Sequence, residues 1–260
     1  MTDPTLPGSL AGKRGLVLGI ANQHSIAAGC ARSFADAGAV LAATYLNEKA
    51  KPYVSAVTEH LPCESLMPCD VQKPGELEAV FDDLAKRWGK LDFVLHSIAF
   101  APAADLHGRV VDCSAAGFAT AMDVSCHSFL RAAKLAEPLM QDGGSLLAVT
   151  YLGSERVISH YGLMGPVKAA LESSVRYAAA ELGPKNIRVN AISPGPIATR
   201  AAGGIDHFSD LLETAAHKAP EGRLATIADC GAMAAFLVSD AARMLTGTIT
   251  PIDGGEHLLG

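Results

Sequence analysis

Hydrophobic residues fall along this chain in two alternating rhythms. Short apolar runs of strand type lie at Arg14–Ile20, Val40–Tyr45, Glu64–Pro68, Leu91–Ser97, Ser145–Thr150, Ile187–Ser193 and Thr248–Ile252. Between them the spacing predicts helices over 25–39, over a polar stretch to about His60, over Leu77–Trp88 and Ser114–Met140, from about Gly162 to Leu182, and over Thr226–Ser239. Residues 1–12 read as an extended lead-in, and 199–218 as an irregular segment with helical character. Short strands alternating with long helices imply βαβ units, and so a parallel sheet covered by helices on both faces. With about seven strands, a doubly wound α/β fold leads, and a closed eight-stranded barrel is the competitor. No repeat, low-complexity run or linker divides the chain, so residues 1–260 are expected to form a single domain.

Composition narrows the function classes. The chain is 49% hydrophobic and 18% charged, enough apolar material for a sizeable core. A net charge of −6 with scattered basic residues argues against nucleic acid as a partner. No apolar run approaches the ~18 residues of a membrane span, and the N-terminus lacks a secretory pattern. A soluble, cytoplasmic protein is therefore expected. Six cysteines form no CxxC, and nine histidines do not cluster, so no metal site is expected and the thiols should be free and mostly buried. Cys63 and Cys69 are the nearest pair.

The chemistry gathers around 150–169 (TYLGSERVISHYGLMGPVKA). Tyr151 and Tyr161 stand ten positions apart, and Lys168 follows the second by seven, close to two helical turns. On one face of a helix entrance the phenol can donate to a carbonyl oxygen, while the ammonium holds a ribose and biases the phenol toward proton release. Pro166 is tolerated only in a first helical turn, so this helix should start near Met164. Gly19 ends the first strand without a side chain where backbone could approach a pyrophosphate, and Ser25 opens the next helix, whose free N–H groups favour an anion. A plain turn and N-cap would look the same. The second strand ends near Glu48, with Lys49 beside it and no arginine for a 2′-phosphate, which favours NADH over NADPH. Asp70 either approaches the adenine or caps the following helix. Ser97 to Ala99, after the fourth strand, should pass close to a cofactor where strand order reverses. Phe100 either lines an apolar pocket or packs inside.

Gly19 followed by Ser25-Ile26-Ala27, HSIAFAP at 96–102, the two tyrosines and Lys168 at this spacing, RVNAISPGPIAT at 188–199 and DGG at 253–255 occur together and in order. In this combination the chain, from about Leu10 to Glu256, resembles the FabI-type enoyl-acyl-carrier-protein reductases, a divergent branch of the short-chain dehydrogenase/reductase superfamily. Ordinary members of that superfamily carry YxxxK and a serine about thirteen residues upstream of the tyrosine. Here those positions are Gly165 and Ala148.

The resemblance implies a Rossmann-type fold and NADH-dependent reduction of the trans-2 double bond of an enoyl thioester in fatty-acid synthesis. It makes Tyr161 the donor to the enolate oxygen and assigns Lys168 to the nicotinamide ribose. Tyr151 then shapes the pocket and assists with substrate. By position, Gly19, Ile20, Ser25, Ile26 and Asp70, with Val71, Ser97, Ile98 and Ile197, would contact the dinucleotide. Phe100, Ala101, Met164, Ile205 and Phe208 would line the acyl pocket, under a substrate-binding loop at about 199–218. A homotetramer is also implied.

Two departures stand out. Leu46 replaces a glutamine common in the family. Asp206, Ser209 and Asp210 stand where some bacterial members place basic residues toward the acidic carrier protein; Arg200, Lys218 and Arg223 are candidates to compensate. The thioester is accordingly expected on either acyl carrier protein or CoA. The alternatives are a carbonyl reductase on the same scaffold and a dinucleotide-binding protein without turnover.

Overall fold

In the computed structural model, residues 8–199 and 208–259 are described. Seven strands form one sheet: β1 (Arg14–Leu18), β2 (Val40–Tyr45), β3 (Cys63–Pro68), β4 (Phe93–His96), β5 (Gly144–Val149), β6 (Ile187–Pro194) and β7 (Ile249–Ile252). All neighbouring pairs are parallel, in the order β3-β2-β1-β4-β5-β6-β7. Strand order therefore reverses between β1 and β4, which opens a crevice at their carboxyl ends. The barrel alternative is ruled out by this open sheet.

Alternation along the strands builds two cores. Leu16, Leu18 and Val94 face one side, where they pack with α3 (Glu76–Trp88), α6 (Ser128–Ala136) and α7 (Met164–Leu182). Val17, Phe93 and Leu95 face the other, against α1 (Ile26–Asp36), α2 (Lys51–Thr58) and α9 (Ile227–Val238). Phe34 of α1 meets Phe93 edge-on, ring centroids 4.8 Å apart. Burial on both faces is why the strands read as continuous apolar runs rather than alternating ones.

One sequence expectation needs correction. The helix predicted over Ser114–Met140 is broken into α5 (Ala115–Met122), a π-helical turn at Asp123–His127, α6, and a short 3₁₀ turn at Glu137–Leu139. Within the π turn Ser125 turns inward and is fully buried, and Ser128 Oγ donates to the Val124 carbonyl at 2.6 Å, a side-chain bond that competes with the regular ladder. The helical character expected in 199–218 is the eleven-residue helix α8 (Phe208–Lys218). A further short helix, α4 (Ala103–Leu106), follows the β4 loop.

The six cysteines are unpaired. Among the described residues no helix is long and apolar enough to cross a membrane, and no cluster of histidine, cysteine and carboxylates could hold a metal ion.

Candidate active site

The crevice between β1 and β4 collects the predicted residues at strand ends. Gly19 leaves β1 with φ 104°, a conformation that side chains disfavour, and a Cβ there would collide with the Ser97 carbonyl at the end of β4. This close approach joins the two loops that flank the crevice. Ser25 caps α1, its Oγ accepting from Ala28 N at 3.3 Å and donating to the Asn22 carbonyl at 2.7 Å. The N–H groups of Ile26 and Ala27, in the first turn, have no intrahelical acceptor by helix geometry. A glycine cradle facing free helix N–H groups fits a pyrophosphate.

Other predicted contact residues are anchored by their side chains. Ile20 and Val71 are buried in opposite cores, with Ile98 packed against the same core as Val71, and Ile26 and Ile197 against that of Ile20. What these residues can offer a dinucleotide is mainly backbone. Asp70 does not cap α3, whose N-cap is Gly75; it shapes its own turn by accepting from Gln72 N at 3.1 Å. Arg131 of α6, which sequence reasoning missed, holds that loop by donating to the Val71 carbonyl at 2.8 Å. At the end of β2, Glu48 accepts from the Tyr45 hydroxyl at 2.9 Å, and its nearest cation is Lys51 at 3.5 Å, not Lys49.

The two tyrosines meet each other, and the lysine lies early in the helix that follows them. The helix α7 starts at Met164, which places Pro166 in its first turn, where the missing N–H is no loss. Tyr161 lies three residues before it and is 8% exposed. The Tyr151 ring meets Tyr161 edge-on, centroids 4.8 Å apart. Neither phenol oxygen has a hydrogen-bond partner among the described residues. Both phenols are pushed well above the ordinary value, Tyr151 by burial and then Glu256, Tyr161 by burial and then Tyr151 and Glu172. They are donors at neutral pH. Lys168 is buried, and its Nζ donates to the Val149 carbonyl at 2.7 Å, at the end of β5. Burial pulls its pKa down to about 8, while Glu172 opposes that pull.

Ala101, Tyr161 and Met164 share one apolar cluster, with Tyr151 and Leu106 packed against it. Phe100 does not join it: its ring is 47% exposed, and its backbone is clipped by Ser125, whose Oγ accepts from Phe100 N at 2.9 Å and donates to Phe100 O at 3.1 Å. Ile205 lies outside the described residues. Phe208 begins α8, and Ser209 and Asp210 after it are exposed. Sequence reasoning also missed Glu256, buried beside Gly195, and the pair Thr150–Glu172. An opposite-charge pair at i,i+4, Lys168 and Glu172, was the available signal for the latter.

A groove of about 680 Å³ runs behind the 153–162 turn, lined by Leu106, Val110, Val157, Ile158 and Pro166 among others. It touches Tyr161, but neither Lys168 nor the β1 turn lines it.

Comparison with known proteins agrees with this fold. A family described as enoyl-(acyl carrier protein) reductase matches residues 19–257. The NADH-type enoyl-acyl-carrier-protein reductase 1 of Rhizobium meliloti is 44% identical over 97% of this chain and 93% of its own. The crystal structure of the reductase from Anaplasma phagocytophilum in complex with NAD superposes with a TM-score of 0.93 at 44% identity, covering 96% of both chains. That of the Bacillus cereus reductase with NADP+ and indole naphthyridinone gives 0.94 at 44% identity, covering 96% of this chain and 98% of its own.

Proposed function

The chain belongs to the enoyl-acyl-carrier-protein reductase family, and from that premise we infer that it is an NADH-dependent reductase of enoyl thioesters. The observation that carries the mechanism is a buried, protonated Tyr161, whose hydroxyl has no hydrogen-bond partner among the described residues, seven residues before a buried Lys168 tied to the end of β5.

The reduced nicotinamide, when bound, supplies a hydride to the β-carbon of the enoyl group. The rest falls to the protein. The β1 turn and the first turn of α1 present N–H groups to the pyrophosphate. Ile20, Val71, Ile98 and Ile197 fix the loops whose backbone would line the dinucleotide. Lys168, already bound to the Val149 carbonyl, has two further N–H donors for the nicotinamide ribose. As negative charge develops on the thioester oxygen, Tyr161 donates to it from an apolar wall, where a preorganised donor counts for more than in water. Tyr151 holds the Tyr161 ring edge-on and closes the pocket beside Ala101 and Met164. Phe100, held at its backbone by Ser125, stands at the rim.

Glu48 favours NADH over NADPH, because its carboxylate would repel a 2′-phosphate. Residues 199–218 act as the substrate-binding loop of a single catalytic domain spanning the chain, with Ile205 and Phe208 toward the acyl chain. The protein works as a cytoplasmic homotetramer, which light scattering tests. Asp210 and Glu213 are exposed on α8, an unfavourable face for an acidic carrier. The second reading, CoA as the carrier, rests on that observation. Following NADH absorbance with crotonyl thioesters on acyl carrier protein and on CoA side by side separates the two. Turnover favouring the carrier protein supports fatty-acid elongation, and equal or better turnover on CoA supports the altered partner. No turnover on either, with NADH still bound, removes the reductase reading.

A further inference from the structure

Beneath Lys168, the sheet and α7 enclose a second charged side chain that the mechanism above does not use. Glu172 lies one turn further along the same helix face and is 3% exposed. Its Oε1 accepts a hydrogen bond from Thr150 Oγ1 at 2.7 Å. Thr150 directly follows Val149, whose carbonyl receives Lys168 Nζ at 2.7 Å. Two consecutive residues at the end of β5 thus hold a lysine and a glutamate one helical turn apart, with no direct ion pair between them. The rest of this helix face is apolar, with Val167, Leu171 and Val175 buried in the core. A carboxylate placed among them is unfavourable unless a partner compensates it.

We propose that Glu172 is a positioning residue for the reduction: anchored by Thr150 one helical turn from Lys168, its carboxylate supplies the compensating charge for the ammonium that holds the nicotinamide ribose. This rests on the assignment of Lys168 to that ribose. Three titratable groups face Lys168: Glu172 on its own helix, Cys126 from the π turn and His96 from β4. His96 is held neutral, its pKa lowered to about 3 by burial first and Lys168 second, so it adds no competing charge near neutrality. Burial pulls the Lys168 ammonium toward neutrality, and Glu172 is the first opposing influence, ahead of Cys126. The same carboxylate also raises the Tyr161 pKa, after burial and Tyr151. The same carboxylate thus opposes the pull of burial on the lysine and adds to the burial that keeps the tyrosine protonated.

The test is the dissociation constant of NADH, read by its fluorescence across pH, for the wild type, Glu172→Gln and Lys168→Ala. Glutamine keeps an acceptor for Thr150 and removes only the charge. With the carboxylate gone, burial carries the Lys168 pKa below about 8, and the ammonium is lost earlier as pH rises. Glu172→Gln should bind NADH within about twofold of wild type near pH 6 and about three- to tenfold more weakly near pH 8, since one pKa unit changes the charged fraction by up to about tenfold. Lys168→Ala should be weak at both. A Glu172→Gln profile that matches wild type, or that is weakened equally at every pH, overturns the proposal while leaving the lysine assignment standing. If Lys168→Ala binds NADH as wild type does, the ribose assignment falls and this inference with it. Should Glu172→Gln yield no folded protein, Glu172→Leu, suited to the apolar face of Leu171 and Val175, must show the same shift, and an unshifted profile refutes the role.

Discussion

Gly153 offers a way to move the proposed donor without touching its chemistry. The glycine sits in the turn after Tyr151, and a methyl carbon added there would stand 2.7 Å from Cε1 of Tyr161, closer still to Cδ1, and 3.3 Å from Cδ1 of Tyr151. Carbon atoms in contact prefer about 3.5–4.0 Å, so Gly153→Ala forces the Tyr161 ring to shift by roughly 1 Å. Tyr151 already abuts that ring edge-on, and Ala101, Leu163 and Val167 are buried around it, so the motion cannot be absorbed locally. Overpacking of this kind costs about 1–3 kcal/mol of stability. A misplacement of about 1 Å at a reacting group costs on the order of 100-fold in rate. The atoms nearest the added carbon belong to the two tyrosines and not to the β1 turn or Lys168, so NADH affinity should hold. Steady-state kcat with a crotonyl thioester, NADH binding and thermal unfolding read the three effects separately. Gly183→Ala serves as the control, because a Cβ there meets nothing within 4 Å. A Gly153→Ala enzyme with kcat within about threefold of wild type would refute the claim that Tyr161 placement limits the rate.

Three further outcomes follow from the same geometry. Gly19→Ala combines a left-handed backbone with a collision against the Ser97 carbonyl, and should abolish measurable NADH binding by calorimetry in whatever protein still folds. Ser125→Ala removes the clip on Phe100 and should raise the KM for the thioester by about fivefold with little change in NADH affinity, since a side-chain hydrogen bond is worth about 1 kcal/mol. His96, whose pKa falls from 6.5 to about 3 on folding because burial disfavours the cation, makes the native state bind fewer protons than the unfolded chain at acid pH. Its stabilising effect is whole above about pH 6.5 and is lost as pH falls toward 3, by up to about 1.4 kcal/mol per pH unit. In His96→Gln the acid limb of a chemical-denaturation series should flatten, and an unchanged slope would contradict the assignment.

The alternation of strands and helices was legible because burial on both sheet faces leaves near-continuous apolar runs with helical spacing between them. Val40–Tyr45 could be bounded to the residue. The start of α7 was legible for a different reason: Pro166 fits a helix only in its first turn, which fixed Met164 as the entrance. The break between α5 and α6 was not legible. It depends on Ser125 and Ser128 finding partners in Phe100 and Val124, one of them across the fold, and hydroxyl residues within a helical pattern carry no sign of that. Ile20, Val71 and Ile197 were legible as neighbours of the crevice but not as residues that face the core, because direction depends on loop geometry rather than type. Phe100 shows the limit most clearly, since the sequence left it between an apolar pocket and the core, and it lies half exposed. Glu172 passed unnoticed for the opposite reason: a glutamate in a helix ordinarily points to water, and only the sheet packed over it makes it a buried charge.

The account is tested most directly by the single-turnover rate of NADH oxidation with a saturating crotonyl thioester, wild type against Tyr161→Phe. The phenylalanine keeps the ring packed against Tyr151 and removes a hydroxyl that bonds to no other described residue, so stability and NADH affinity should stay at wild-type values. The rate should fall by about 100- to 1000-fold, the loss typical of one donor to a developing oxyanion. A Tyr161→Phe enzyme that oxidises NADH at the wild-type rate would show that the thioester oxygen is stabilised elsewhere, and that the convergence of Tyr161 and Lys168 is not the seat of the reaction.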